Sequence, residues 1–155
     1  MESNVSIQRA SFPEFLQYLA LIIREGLYNW VAYVVILKVW GGKSSRVMVV
    51  RQGNKIIGGF CLTPMPLAKY KPYNWFRREA QLKINELINK NYQHLCCFVV
   101  SGKFRNKGVG TFVFKNFFED KKIWFTSSRR AIPFYLRNGA IIFYKSKYSI
   151  FINSR

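Results

Sequence analysis

A stretch of seven residues has the composition of a phosphate-binding loop. It reads Arg105-Asn106-Lys107-Gly108-Val109-Gly110-Thr111 and lies between an apolar run, residues 95–100, and a helical pattern that begins at Val109. The first N–H groups of a helix have no partner within it and carry a partial positive charge, so they attract an anion. Gly108 and Gly110 let the backbone come close to a ligand that a side chain would obstruct. The stretch therefore predicts a phosphate site between a strand and a helix.

The spacing of the two glycines excludes two common phosphate loops. The P-loop requires Gly, four spacers and Gly-Lys-Ser/Thr, and the dinucleotide-binding fingerprint requires a third glycine where this chain has Val113. The spacing Arg-x-x-Gly-x-Gly instead resembles the coenzyme A pyrophosphate loop of the GNAT superfamily of N-acetyltransferases. There the loop follows a strand that ends in Val, with four residues before an Arg or Gln. In this chain four residues separate Val100 from Arg105.

A second segment downstream adds to the resemblance. Residues 131–140 read Ala-Ile-Pro-Phe-Tyr-Leu-Arg-Asn-Gly-Ala, which is similar to the later GNAT motif Ala-x-x-Phe-Tyr-x-x-x-Gly-Phe, with Ala140 in place of the usual aromatic. The two motifs cover residues 94–145, and outside that span only the order of elements is similar. The resemblance implies an α+β fold of three layers with a mixed central sheet of about six to seven strands flanked by helices. It also implies a V-shaped opening between strands 4 and 5.

The resemblance implies a binding mode for acetyl-CoA in that opening. The backbone of Val99, Val100 and Ser101 would bind the pantetheine arm as though it were another strand. An N–H near Val100 would polarise the thioester carbonyl. The loop 105–111 would bind the pyrophosphate, with all seven of its residues as candidate contacts.

Two side chains are candidates for proton transfer. Tyr135 matches the tyrosine that protonates the leaving thiolate in many members of the superfamily, whereas Phe134 fits a packing role better. In the histone-acetylating branch a glutamate lies eleven positions before the Arg or Gln of the loop, and counting back from Arg105 gives His94, the only histidine. An imidazole could take the amine's proton through a water, although a lone histidine at a strand start also suits packing. A third route needs no base, because cationic surroundings depress the pKa of an amine.

The chain is strongly basic, with 25 Lys and Arg, 7 Asp and Glu, and a net charge of +18. Residues 121–155 contain eight Lys and Arg and no acidic residue. Coenzyme A needs only a few cations, so the surplus suggests an acidic partner such as RNA, a ribonucleoprotein, an anionic envelope component or an acidic protein. The alternative is that the basic residues only keep the protein soluble, in an organism whose proteins are rich in lysine. A homodimer is compatible with the sequence.

Length and composition predict a single GNAT-like domain over residues 1–155, with half of the residues hydrophobic. We expect a cytoplasmic protein, because the start lacks the pattern of a secretory signal and the longest uncharged apolar piece, residues 26–37, is too short to cross a bilayer.

We expect the three cysteines to be reduced and to lie in strands as small hydrophobic residues. Cys96 and Cys97 are adjacent and should point to opposite faces of a strand, which disfavours a shared metal. No metal site is predicted.

Hydrophobic periodicity predicts the elements that position these motifs. Predicted strands cover residues 5–9, 46–51, 55–63, 95–100, 122–126, 141–149 and 150–153. The first predicted helix is capped by Ser11 and ends at Gly26. Four further helices are predicted over residues 27–40, 75–89, 109–120 and 130–138. The helix 75–89 is either a surface helix covering the sheet or a wall of the acceptor cleft.

The leading functional hypothesis is an acetyl-CoA-dependent N-acetyltransferase acting on a primary amine. The basic surface favours an acidic or nucleic-acid-associated acceptor, such as an aminoacyl-tRNA or a ribosomal or other protein, over a small amine. The competing class is a catalytically inactive basic module for binding or regulation on the same fold. The missing glutamate base and Ala140 leave room for that class.

Overall fold

The computed structural model describes residues 4–26, 37, 40–41, 45–64, 78–145 and 149–153. Its seven strands are β1 (Val5–Arg9), β2 (Arg46–Gln52), β3 (Lys55–Thr63), β4 (Gln93–Val100), β5 (Ile123–Thr126), β6 (Ala140–Tyr144) and β7 (Ile150–Asn153). The principal helices are α1 (Phe12–Arg24), α2 (Arg78–Asn89), α3 (Val109–Val113, continued as a π-helical turn Phe114–Phe118) and α4 (Ile132–Arg137). Short 3₁₀ turns at Gly102–Phe104 and Arg129–Ala131 precede α3 and α4.

The seven strands form one mixed sheet in the order β1-β2-β3-β4-β5-β7-β6. Neighbours are antiparallel except β4 and β5, which are parallel. The parallel pair requires a crossover, which α3 provides. The predicted α+β fold with helices around a mixed sheet is therefore confirmed.

Helix α1 begins where the sequence predicts. Pro13 lies in its first turn, where the missing N–H costs nothing. Both the backbone N–H and the hydroxyl of Ser11 lie 2.8 Å from Glu14 Oε2. Glu14 also lies 2.8 Å from Arg51 Nη1, which ties the start of the helix to β2.

Alternating strand residues pack against helices on both faces of the sheet. On one face α3 and α4 bury Phe114, Phe118 and Tyr135 against Phe60 and Phe125. The opposite face holds α1 over β2 and β3, and α2 over β5 and β7. Trp124 belongs to this second face because it alternates with Ile123 and Phe125. Helices α1 and α2 thus share a face of the sheet.

Most predicted elements are present with ends within three residues of the predicted ones, whereas the predicted strand 141–149 is shorter and ends at Tyr144. The predicted helix 27–40 lies largely outside the described residues, as does the start of the predicted helix 75–89. The predicted helix 109–120 changes to π-helical geometry at Phe114, which buries Phe114 and Phe118 while Phe112 and Phe117 are only partly buried. None of the helices in the described ranges combines the length and the apolar character that a membrane crossing needs.

The expectation that Cys96 and Cys97 point to opposite faces is wrong. Cys97 has a φ of +54°, and the pairing of β3 with β4 shifts register between Gly59 and Cys61. This bulge interrupts the alternation, so both cysteines pack against the α1 side of the sheet together with Cys61. Within the described ranges, no group of three His, Cys, Asp or Glu is arranged to hold a metal ion.

Candidate functional site

The opening between β4 and β5 is the main interruption of the sheet. The two strands pair only at Gln93 with Ile123 and at His94 with Trp124. Strand β4 then continues to Val100 in pairing with β3 alone, as far as the described residues show. The sheet therefore has a gap beside the carboxyl half of β4, where a ligand could add its own hydrogen bonds.

Tyr18 of α1 supports the bulge in β4 beside this gap. Its ring lies where a side chain on Gly59 would be, since an added Cβ would stand 2.6 Å from Tyr18 Cδ2. Its hydroxyl donates a hydrogen bond to the carbonyl of Cys97 at 2.6 Å. Because a bulge bends its strand, this contact helps to turn β4 away from β5.

The predicted phosphate loop connects β4 to α3 at one lip of the gap. Asn106 and Gly108 both have left-handed backbone conformations, with φ of +60° and +80°. Residues in such conformations can turn successive N–H groups towards one side, which makes a concave site for an anion. Gly108 precedes Val109, and the carbonyl of Gly108 accepts the first helical hydrogen bond from Phe112 at 2.8 Å. The free N–H groups of the helix start therefore follow directly from the loop.

The two glycines of the loop are required for different reasons. A Cβ on Gly108 would meet no described atom within 4 Å, so what requires glycine there is the backbone conformation. A Cβ on Gly110 would stand 2.8 Å from Cζ of Phe134. Gly110 therefore has a packing role, in which it admits the Phe134 ring and sets the place of α4 beside α3, and its contact with a ligand stays a prediction.

The three backbone positions predicted to bind pantetheine do not face the same way. The N–H of Ser101 donates to Ile57 O in β3 at 2.8 Å, and its carbonyl accepts from Phe104 N–H at 2.8 Å. The carbonyl of Val99 also faces β3, because a Cβ on Gly58 would lie 2.7 Å from it. Val100 lies between these two, so its backbone groups point away from β3; its carbonyl accepts from Arg105, and its N–H is directed to the gap. The Val99 carbonyl and the Ser101 N–H are thus directed to β3, the Ser101 carbonyl is taken by Phe104, and Val100 is the position that faces the opening.

Arg105 of the loop is held by two hydrogen bonds. Its Nε donates to Val100 O at 3.0 Å, and its Nη2 lies 2.7 Å from Glu25 Oε2 at the end of α1. Arg24 adds a contact between the same two regions, from its Nη2 to Ser101 Oγ at 3.2 Å. No local sequence pattern points to Arg24 or Glu25, because 80 positions separate Glu25 from Arg105.

Tyr135 lies on α4, which follows the carboxyl end of β5. Its ring is buried among Phe114, Phe125 and Phe134, with centroids 5.5, 4.5 and 5.1 Å away. Burial raises the pKa of Tyr135 to about 12, so the phenol stays protonated at physiological pH. Within the described ranges no hydrogen bond engages its hydroxyl, whereas the buried Tyr18 hydroxyl is bound to Cys97 O.

The ends of β4 and β5 bring the loop and Tyr135 to the same edge of the sheet. Parallel neighbours end at one edge, and ligands of open sheets bind outside those carboxyl ends. The contact between Phe134 and Gly110 fixes α4 against the loop. Five exposed cations lie in the segments that follow the two strands: Lys103, Arg105, Lys107, Arg129 and Arg130. This edge is accordingly suited to a ligand that carries several phosphates.

His94 lies at the closed end of the gap and is buried, with 4% of its surface exposed. Its imidazole stacks on Trp124 with ring centroids 4.0 Å apart. Burial lowers the pKa of His94 to about 3, so the ring is neutral at pH 7 and a weak base. Its role as the base stays a prediction, and a pKa this low disfavours it.

The buried imidazole predicts a pH dependence of folding. The unfolded chain protonates His94 near pH 6.5, whereas the folded chain resists protonation down to about pH 3. The free energy of unfolding should therefore fall below pH 6.5, by about 2 kcal/mol between pH 7.5 and pH 5. Chemical denaturation at both pH values measures this loss.

His94→Gln is the matched variant for that measurement, because it keeps a polar side chain of similar size without an ionising group in this range. It should be less stable at pH 7.5 and should lose most of the difference between the two pH values. An equal pH dependence in wild type and variant would contradict the assignment of the effect to His94.

Comparison with solved structures places this fold among the GNAT acetyltransferases. The chain has 15% identity and a TM-score of 0.60 with a GNAT family acetyltransferase from Elizabethkingia anophelis with acetyl-CoA bound, covering 97% of this chain and 96% of the other. An N-acetyltransferase from Thermoplasma acidophilum in complex with coenzyme A matches at 10% identity and a TM-score of 0.63, covering 96% and 97%. An acetyltransferase of the GNAT family from Bacillus cereus matches at 12% identity and a TM-score of 0.60, covering 96% and 95%.

The chain therefore has the GNAT fold over nearly its whole length, as the two sequence motifs predicted. By sequence, no protein-family model matches the chain and no curated protein matches it significantly.

Proposed function

We propose that this protein is an N-acetyltransferase that uses acetyl-CoA to acetylate a primary amine. One observation carries the proposal: the gap between β4 and β5 opens at the edge where the phosphate loop and Tyr135 both lie. Similar folds with acetyl-CoA or coenzyme A bound support the choice of cosubstrate.

Coenzyme A would be held at three places along the gap. The loop 105–111 would bind the diphosphate through the N–H groups at the start of α3 and through the Arg105 guanidinium. The N–H of Val100 would bind the ligand at the open side of β4 and polarise the thioester carbonyl. The exposed side chains of Lys107, Arg129 and Arg130 would add attraction for the remaining phosphate.

Catalysis on this proposal is mainly placement of a neutral amine against the thioester carbon. A bond forms between nitrogen and the carbonyl carbon, and the bond between that carbon and sulfur breaks. Tyr135 gives its hydroxyl proton to the departing thiolate, and the proton that the amine loses restores the phenol by way of solvent. The high pKa of Tyr135 does not prevent this transfer, because burial disfavours the thiolate as well.

The acceptor that we propose is an amine presented on an acidic body, such as an aminoacyl-tRNA or a ribosomal or other protein. The net charge of +18 supports this choice over a small amine. The weak basicity of His94 favours the route in which cationic surroundings keep the amine neutral without a dedicated base.

Labelled acetyl-CoA and a whole-cell extract test the proposal. We expect label to enter RNA or protein, and we expect affinity for the labelled acceptor to fall steeply between low and high salt. Label in small molecules with a flat salt dependence would support the small-amine alternative. Coenzyme A binding with no release of CoA in any extract would identify a binding module instead.

A further inference from the structure

We propose that Glu25, at the end of α1, is a positioning residue that holds Arg105 ready for the diphosphate. This inference rests on the proposed function, because it concerns how the phosphate loop is prepared for coenzyme A. It assigns a role in cosubstrate binding to a carboxylate outside both sequence motifs.

The guanidinium of Arg105 is anchored at two of its nitrogens. Nε donates to Val100 O at 3.0 Å, and Nη2 lies 2.7 Å from Glu25 Oε2. A guanidinium is planar and has five N–H donors, so two anchors fix its plane and leave three donors for an anion. Without Glu25 the side chain could rotate about the single remaining bond to Val100.

The end of α1 and the segment 101–105 together hold the Glu25 carboxylate in place. Its side chain is 12% exposed, whereas that of Arg105 is 52% exposed. A Cβ on Gly102 would lie 3.2 Å from Glu25 Oε2, so the absence of a side chain there lets the carboxylate approach the loop. Arg24 lies 3.7 Å from Glu25 Oε1 and also donates to Ser101 Oγ. The end of α1 is thus bound to both ends of the segment 101–105.

If charge alone determined its effect, Glu25 would weaken the binding of a diphosphate rather than strengthen it. The chain has 25 cationic and 7 acidic side chains, and one of those acidic groups lies against the loop that would receive a diphosphate. A carboxylate there repels phosphates, so its removal should strengthen binding if repulsion were its main effect. The positioning role predicts weaker binding. The two accounts therefore differ in sign.

The test compares Glu25→Ala, Glu25→Gln, Arg105→Ala and the double variant Glu25→Ala with Arg105→Ala. Calorimetry measures coenzyme A binding, and steady-state assays measure KM and kcat. We expect Glu25→Ala to weaken binding and raise KM for acetyl-CoA by about tenfold with kcat nearly unchanged. Glu25→Gln should lose less, because its amide oxygen still accepts a hydrogen bond from Arg105. In the Arg105→Ala background, Glu25→Ala should cause no further loss.

Glu86→Ala is the matched control, since Glu86 pairs with Lys83 and Lys90 on the surface of α2 and should leave binding unchanged. The proposal is overturned if Glu25→Ala binds coenzyme A as well as or better than wild type, or if its loss persists without Arg105. If Glu25→Ala does not fold, Glu25→Gln decides by the same cycle. Failure of the wild type to bind coenzyme A would overturn the proposed function itself, whereas wild-type binding with an unaffected Glu25→Ala overturns only the positioning role.

Discussion

Replacement of Tyr135 by Phe should slow CoA release from acetyl-CoA by about 100-fold, which is within the usual contribution of one general acid. The phenyl ring keeps the contacts with Phe114 and Phe125, so the fold and the affinity for coenzyme A should be retained. Since burial raises the pKa of Tyr135 to about 12, the wild-type rate should show no loss from ionisation of this group between pH 7 and pH 10. Stopped-flow or thiol-trapping assays measure the release.

Tyr144→Phe is the matched control for that experiment. It removes a tyrosine hydroxyl that donates to Glu79 at 3.0 Å, and Tyr144 packs with α2 on the face of the sheet opposite to α3 and α4. Its rate of CoA release should equal that of wild type. A Tyr135→Phe variant that releases CoA at the wild-type rate would remove Tyr135 from the reaction, and loss of coenzyme A binding would assign it a packing role instead.

Replacement of Gly108 by Val should weaken coenzyme A binding by at least about tenfold. Gly108 has a φ of +80°, a conformation that a β-branched residue adopts only with strain. The backbone would move out of the left-handed region, and the N–H groups at the start of α3 would no longer follow the loop in the present geometry. Calorimetric titration with coenzyme A measures the loss.

Gly53→Val is the matched control, because it introduces the same backbone strain outside the loop 105–111. Gly53 lies in the β2–β3 turn with a φ of +56°, and a Cβ on it would likewise meet no described atom within 4 Å. Both variants should lose about 1–2 kcal/mol of stability from the left-handed strain. Only Gly108→Val should lose coenzyme A affinity. An equal effect of the two variants on affinity would mean that the loop has no special role in binding.

The geometry of the loop 105–111 and the position of Tyr135 after β5 could be predicted because each is specified by consecutive residues. A strand, two glycines and a helix start within a short span specify a local geometry, and Gly108 has the left-handed conformation that such a loop needs. The fold class followed from those motifs together with the alternation of strands and helices. Confirmation came from the topology of the sheet and from solved structures.

Other properties of the site depend on contacts between distant segments, which no local pattern encodes. Gly110 receives Phe134, and Arg105 is bound to Glu25 across 80 positions. The outward direction of Val100 depends on which residues of β4 pair with β3, and the bulge at Cys97 determines that register. The low pKa of His94 follows from its burial against Trp124, which the sequence of β4 alone does not reveal.

Calorimetric titration of the wild-type protein with coenzyme A and, separately, with pantetheine tests most directly whether the loop 105–111 binds a diphosphate. Pantetheine contains the arm that would lie beside Val100 and lacks the diphosphate. We predict heat of binding for coenzyme A and an affinity for pantetheine lower by a factor of about 100, because the N–H groups of the helix start and Arg105 would have no anion to bind. No heat with coenzyme A, or equal affinity for the two ligands, would contradict the account.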